Sequence, residues 1–162
     1  MIRYVLISLF FLLSCNPGMQ SKKVSINDQE MLYGQISEKQ LFFDYPDWQE
    51  AERKYNPKDD VVKKIDENKN DIKIITFLGT WCGDSRRNVP RFLKAISGNP
   101  NLKVEFWAVD RKKKLDNGLT EKYAIKRVPT FIFFKNDREV GRITEHPQKT
   151  IEEDILDILN TI

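Results

Sequence analysis

The sequence has few residues of the kinds that bind metal clusters or cross-link small proteins. Among its 162 residues there are only two cysteines and one histidine. A closed structural zinc site or an iron–sulfur cluster needs about four such ligands, so neither can be built here. We therefore expect no metal and no cofactor. The length suits one domain with a core of ordinary size.

A large excess of charge of either sign is also missing. The 27 basic residues stand against 24 acidic ones, which gives a formal net charge of +3. A dedicated nucleic-acid binder carries a concentrated basic face. The run Arg111-Lys112-Lys113-Lys114 is basic, but it lies in a predicted loop, where a solvated surface is the simpler interpretation. We predict no nucleic-acid partner.

The first cysteine closes a pattern typical of an export signal. Arg3 precedes an apolar run over 4–13 that is short for a membrane span, and the run ends in Leu12-Leu13-Ser14-Cys15. These last four residues resemble the lipobox of bacterial lipoproteins, in which the cysteine is lipidated and becomes the new N-terminus. The alternatives are a plain signal peptide or a short N-terminal anchor, with Cys15 incidental.

Lipidation of Cys15 would divide the chain into three parts. Residues 1–14 would be a signal peptide, 15–30 a lipidated flexible tether and 31–162 the folded domain. The protein would be exported and anchored by lipid to the bacterial cell envelope, on the periplasmic or outer-membrane side. The mature chain would keep one thiol, Cys82, in a compartment where disulfides normally form. An intramolecular disulfide would then be impossible.

The chain after the tether shows helical patterns first, and then strands alternating with helices. Helical patterns fill about 36–70, where Pro46 and Asn56-Pro57 are typical helix starts. The elements predicted beyond them are a strand at 72–78, a helix after 82, a strand at 102–109, a helix at 115–124, strands at 130–134 and 139–144, and a helix at 150–162.

The connections between these elements predict the strand directions. A helical crossover makes the first two strands parallel, and a tight turn makes the last two antiparallel. The predicted fold class is therefore α/β, with a mixed four-stranded sheet flanked by helices. A helical extension of about 36–70 would precede a core of about 72–162.

The second cysteine stands between a predicted strand and helix, in Trp81-Cys82-Gly83-Asp84-Ser85. Unbonded backbone N–H groups and the dipole at a helix start favour a thiolate. The motif resembles the Trp-Cys-Gly-Pro-Cys of the thioredoxin superfamily. Pro90, eight residues after the cysteine, and the segment from Tyr123 to Thr130 also match that family. The resemblance covers about 73–162.

The resemblance implies a thioredoxin-like fold with a cis peptide bond before Pro129. It also implies that the loop holding this proline faces Cys82 and pairs with an extended substrate segment. The groove for that segment would be shaped by residues of the motif and of the loop, namely Trp81, Gly83, Asp84, Val128 and Pro129.

Two departures from the family pattern bear on the mechanism. Ser85 stands where the second, resolving cysteine would be, and a hydroxyl cannot attack a mixed disulfide. Thr76 stands where thioredoxins bury an aspartate that assists this second cysteine. The resemblance therefore implies that Cys82 alone exchanges with protein thiols or disulfides of the envelope. Ser85 would donate a hydrogen bond to its thiolate.

Neighbouring charges would alter the stability of the Cys82 thiolate. Arg86 and Arg87 favour it, whereas the carboxylate of Asp84 opposes it. His146 follows the last strand, and the corresponding turn in thioredoxins borders the active-site face, so it could also favour the thiolate. The alternative is an exposed turn histidine without a role at the thiol.

Two other functions remain open at this point. The scaffold could be a redox-inactive binding or assembly module that uses the same groove. It could also be a glutathione-linked monothiol oxidoreductase, because Cys82-Gly83-Asp84-Ser85 loosely resembles the Cys-Gly-Phe-Ser motif of monothiol glutaredoxins. Trp81 and the predicted export argue against the glutathione-linked function.

Overall fold

A computed structural model describes residues 22–26 and 29–162 of the chain. The predicted signal peptide, Cys15 and the first part of the predicted tether lie outside the described residues. Within the described residues, no helix is both long enough and apolar enough to cross a bilayer.

Six strands in the described part of the chain form a mixed sheet at the centre of the fold, in the order β1-β2-β4-β3-β5-β6. β3 and β4 are parallel, and β5 and β6 are antiparallel, as the connections predicted. The strands are β1 Lys22–Ile26, β2 Gln29–Ile36, β3 Ile72–Leu78, β4 Leu102–Ala108, β5 Thr130–Lys135 and β6 Arg138–Thr144.

The prediction of four strands was wrong by two, because β1 and β2 form an additional hairpin at one edge. β2 pairs antiparallel with β4, from Gly34 opposite Ala108 to Ile36 opposite Phe106. The described part of the predicted tether is therefore strand rather than flexible chain. β1 carries little apolar surface and is ordered by backbone pairing to β2. β2 in turn pairs with β4, which lies far along the chain, and the composition of β1 does not indicate this.

Residues 29–162 contain six helices that flank the sheet, and most of them lie where the patterns predicted them. They are α1 Glu38–Asp44, α2 Pro46–Lys54, α3 Asp59–Asp66, α4 Gly83–Ile96, α5 Leu119–Lys122 and α6 Ile151–Leu159. α5 is much shorter than predicted, because Gly118 adopts a left-handed conformation (φ 72°) directly before it and breaks the segment. The side chains of Thr150 and Glu153 form a capping box at the start of α6.

The two faces of the sheet bury separate apolar clusters. On one face Phe92 of α4 stacks on Phe131 of β5, with ring centroids 4.2 Å apart. On the other face Phe77 and Trp107 pack under the connections that follow β4. Each fully buried side chain of this size contributes about 1.5–3 kcal/mol of transfer free energy. The end of the sheet at which β3 finishes is therefore held by packing on both faces.

A buried carboxylate joins α6 to the connection between α2 and α3. Glu152 is 1% exposed and accepts hydrogen bonds from the Tyr55 hydroxyl (2.7 Å) and the Lys58 backbone N–H (3.1 Å). Burial raises the pKa of Glu152, but these hydrogen bonds, together with those from its own backbone N–H and the Thr150 hydroxyl, outweigh burial and leave the pKa below its usual value. Glu152 is therefore charged in the folded protein at neutral pH.

We expect Glu152→Gln to lower the free energy of unfolding by about 2 kcal/mol at pH 7, since it removes charged hydrogen bonds from a buried site. The contribution of Glu152 is present above the ordinary glutamate pKa of 4.5 and is lost as the pH falls through the lower pKa of the folded state. Urea unfolding at several pH values from 7 to 3 should show that the free energies of unfolding of the variant and the wild type converge as the pH falls. A constant difference across this range, or an equal loss in the exposed control Glu67→Gln, would contradict this.

Candidate active site

The thiol of Cys82 lies at the start of α4, facing the loop that precedes β5. Cys82 is the N-cap residue, and its carbonyl accepts the first helical hydrogen bond, from the Arg86 N–H at 3.0 Å. Its own N–H donates to the Gly79 carbonyl at 2.9 Å. The side chain is half-buried, and its S–H donates to the carbonyl oxygen of Val128 at 3.3 Å. The thiol is thus held between two segments that are distant in sequence.

The peptide bond between Val128 and Pro129 is cis, as the resemblance implied. Hydrogen bonds on both sides hold this loop in place. The Pro129 carbonyl accepts from the Glu145 N–H at 2.7 Å, and the Thr130 hydroxyl donates to the Arg127 carbonyl at 2.7 Å. The carbonyl that meets the Cys82 thiol therefore has a fixed position.

Ser85 lies one turn into α4 and is fully buried. Its hydroxyl oxygen accepts a hydrogen bond from the Gly79 N–H at 3.2 Å, which ties the helix to the end of β3. The donation to the Cys82 thiolate that we expected stays a prediction. Thr76 is also fully buried, and its hydroxyl has no hydrogen-bond partner within the described part of the chain.

Trp81 directly precedes Cys82 and is half-exposed. A hydrogen bond and close packing hold its indole ring in place. Its Nε1–H donates to the Val109 carbonyl at 3.0 Å. The ring also lies close over Gly79, where a Cβ atom would be only 2.6 Å from Cε2 of the indole. Two cations approach the ring, with the Arg111 guanidinium carbon 5.4 Å and the Lys113 Nζ 5.9 Å from its centroid.

The charged residues predicted around the thiol are mostly paired with one another. Arg87 lies 2.7 Å from the Asp84 carboxylate and 3.1 Å from Nδ1 of His146. Arg86 turns towards helix α2, where its partner is Asp47 at 3.6 Å. His146 is exposed and contacts Asp84, while no hydrogen bond joins it to Cys82 in the described structure. The effect of His146 on the thiolate stays a prediction.

A family model described as thioredoxin matches residues 43–157. The chain belongs to the thioredoxin family. It is 33% identical to a thioredoxin of Echinococcus granulosus over 100 residues, which are 57% of this chain and 90% of that protein. It is 31% identical to a thioredoxin of Malassezia sympodialis over 72 residues, or 44% of this chain and 67% of that protein.

A solved structure agrees on the fold. A Pseudomonas aeruginosa protein of unknown function superposes with a TM-score of 0.54 at 16% identity, covering 78% of this chain and 85% of that one. The α/β thioredoxin-like fold class predicted from the sequence is confirmed. Membership of the thioredoxin family supports a function of the thiol–disulfide oxidoreductase type, acting on protein thiols or disulfides.

One cluster beside the thioredoxin motif has side chains of the kinds that bind metals. Asp84, Glu145 and His146 place one ligand atom each within 4.8 Å of one another. Arg87 occupies the same cluster, however, and its fixed positive charge opposes a bound cation. The cluster is better described as an ion-paired bridge between α4 and the turn after β6.

Sequence reasoning missed some residues that position the thioredoxin site. Asn88 is buried and donates to the Glu145 carbonyl at 2.8 Å, which fixes the turn that carries His146. In the sequence, the buried role of Asn88 was indicated by its position directly before the apolar residues Val89 and Phe92 of α4. Arg111 and Lys113 were interpreted as parts of a solvated loop, and their approach to Trp81 depends on tertiary contacts.

We expect Gly79→Ala to destabilise the protein by about 1–3 kcal/mol, because the new methyl group would overlap an indole that its hydrogen bond holds in place. Gly83→Ala is the matched control. No atom lies within 4 Å of a Cβ at Gly83, and Gly83 is the first residue of α4, so that variant should change the free energy of unfolding by less than about 0.5 kcal/mol. Urea unfolding of both variants measures the difference, and equal effects would contradict the close packing of Trp81 on Gly79.

Proposed function

We propose that this chain is an exported, lipid-anchored member of the thioredoxin family that forms mixed disulfides with protein substrates through Cys82 alone. The observation that carries the proposal is the position of the thiol. Cys82 is half-exposed at the start of α4, contacts the loop of the cis proline, and has a serine in the next turn. This is the arrangement of a thioredoxin nucleophile without a resolving thiol.

The exchange step follows from this arrangement. The Cys82 thiol first loses its proton to solvent, and the resulting thiolate attacks one sulfur of a substrate disulfide. The substrate S–S bond breaks, a Cys82–substrate disulfide forms, and the other substrate sulfur leaves as a thiolate with the electron pair. One disulfide replaces another, so no external oxidant is required. Release then needs a thiol from a second molecule, because the Ser85 hydroxyl cannot attack the mixed disulfide.

The surroundings of Cys82 leave room for the substrate on one side. Gly83 is exposed, and the space above its Cα is open. In the chain, Trp81 precedes Cys82 and Asp84 follows Gly83, and both side chains are partly exposed. When the thiolate forms, the Val128 carbonyl loses its S–H donor and becomes available to a substrate backbone N–H. Gly83 and the loop of Val128 and Pro129 would together shape the groove.

Ser85→Cys tests the missing resolving step. Pre-reduced wild-type protein mixed with a disulfide-containing protein, without other thiols, should keep one substrate adduct on Cys82. In the S85C variant the new thiol should resolve the adduct, so that both substrate sulfurs are released as thiols and an internal disulfide remains. Intact-mass spectrometry and thiol titration measure both products.

Ser97→Cys is the control for an added thiol, since Ser97 is exposed at the far end of α4. That variant should behave as the wild type does. Full reduction of the substrate by wild-type protein would contradict the single-cysteine mechanism. A redox-inactive binding module would give no adduct at all. In a parallel reaction with added glutathione disulfide, a glutathione-linked enzyme would form its adduct with glutathione in preference to the protein disulfide.

The proposed export and anchoring are supported by the pattern of 1–15, in which an apolar run stops at Leu12-Leu13-Ser14-Cys15. In bacterial cells, the wild-type protein should fractionate with membranes. The Cys15→Ser variant should carry no lipid and should leave the membrane fraction. Cys82→Ser, which also removes one thiol, is the control and should stay in the membrane fraction. The same fractionation for the wild type and C15S, with a mass difference no larger than that of exchanging sulfur for oxygen, would contradict lipidation.

A further inference from the structure

The basic run from Arg111 to Lys114 forms a closed loop rather than an extended segment. The Lys113 N–H donates to the Asp110 carbonyl at 2.8 Å, and the Lys114 N–H donates to the Asp110 carboxylate at 2.7 Å. Lys113 adopts the left-handed conformation that this tight turn requires, with a φ of 59°. The four positive charges therefore have a defined location on the surface.

This location is beside the proposed nucleophile. The loop follows Val109, whose carbonyl binds the Trp81 indole, and Trp81 directly precedes Cys82. Arg111 and Lys113 both approach the same indole ring. A substrate segment that reaches Cys82 from this side would pass the loop.

Across the described residues, two lysines of the loop lack the ion pairs that the arginines beside α4 and the turn after β6 form. On the side of α4 and the turn after β6, Arg86, Arg87 and Arg127 each pair with a carboxylate. In the loop, Lys114 pairs with Glu121, but Lys112 and Lys113 form no ion pair with any residue that the structure describes. Two lysines are thus available to an external carboxylate.

We propose that the loop 110–114, together with Trp81, is a docking surface for an acidic segment of the protein that presents its disulfide to Cys82. The inference rests on the proposed exchange at Cys82 and assigns its substrate class. Opposite charges that flank the reacting sulfurs raise the rate of encounter and orient the substrate. A nucleic acid or an anionic bilayer would need a broader basic face than one short loop that also carries Asp110 and is followed by Asp116.

Peptides of opposite charge test this docking surface. Three peptides of equal length carry one cysteine as a mixed disulfide with an aromatic thiol, and differ only in having glutamate, serine or lysine at the flanking positions. Release of the aromatic thiol gives the rate constant of exchange with Cys82. For the wild type we expect the acidic peptide to react about tenfold faster than the basic one at low salt, with the ratio falling as salt is added.

In the Lys112→Gln/Lys113→Gln double variant, the acidic and basic peptides should react at nearly equal rates. Lys63→Gln/Lys64→Gln, on the exposed face of α3, removes the same net charge and should keep the wild-type ratio. Equal rates for the three peptides with the wild type, or the same ratio in both double variants, would overturn the docking surface and leave the exchange reaction intact.

A measurement of peptide binding without disulfide exchange tests the docking surface separately from the proposed chemistry of Cys82. Fluorescence anisotropy of the same peptides with serine in place of cysteine should show that the acidic peptide binds the wild type more tightly than it binds the K112Q/K113Q variant. If this holds while no peptide exchanges, the docking surface stands and the proposed chemistry fails. If the double variant instead loses binding to anionic phospholipid vesicles or single-stranded DNA and keeps its peptide ratio, the surface has a different ligand and the inference is wrong.

Discussion

The antiparallel pairing of β3 with β5 is the constraint on which the site depends. Its register runs from Lys73 opposite Phe134 to Phe77 opposite Thr130, so the end of β3 and the start of β5 lie at the same edge of the sheet. The chain leaving β3 reaches Cys82 within a few residues, and the chain entering β5 passes through Val128. The contact between the thiol and the Val128 carbonyl is a consequence of this register. A shift of the register by one residue would reverse the faces of β5 and separate the two groups.

The charges around the thiol are arranged unequally. On the helix side they form local pairs such as Arg87 with Asp84, in which opposite charges lie side by side. On the Trp81 side, lysines of a closed loop remain available. Such an arrangement places the thiol at a boundary between neutralised and positive surface. Under the proposed docking of an acidic segment, this arrangement gives a reason for a basic loop in a protein whose overall charge is nearly balanced, and it gives the tryptophan of the motif a part in substrate choice.

The sequence patterns predicted the elements that carry their own local information. β3 is an almost wholly buried apolar run, and α4 follows it at the motif, so both were predicted with the cysteine at their junction. The β1–β2 hairpin was missed because its order comes from pairing with β4 across a long sequence separation. The partners of Arg86 and His146 were also beyond prediction. They depend on side-chain distances between elements, here to Asp47 and Asp84.

The reactivity of Cys82 in the folded protein tests the central claim most directly. The rate of its alkylation by iodoacetamide at pH 7 can be followed by peptide mapping, which separates it from Cys15, in native protein and in urea. A thiol at a helix start, half-exposed and aligned for attack, should react faster in the folded state than in the unfolded chain. A folded-state rate equal to or below that of the unfolded chain would contradict the account and favour a scaffold that has lost its redox chemistry.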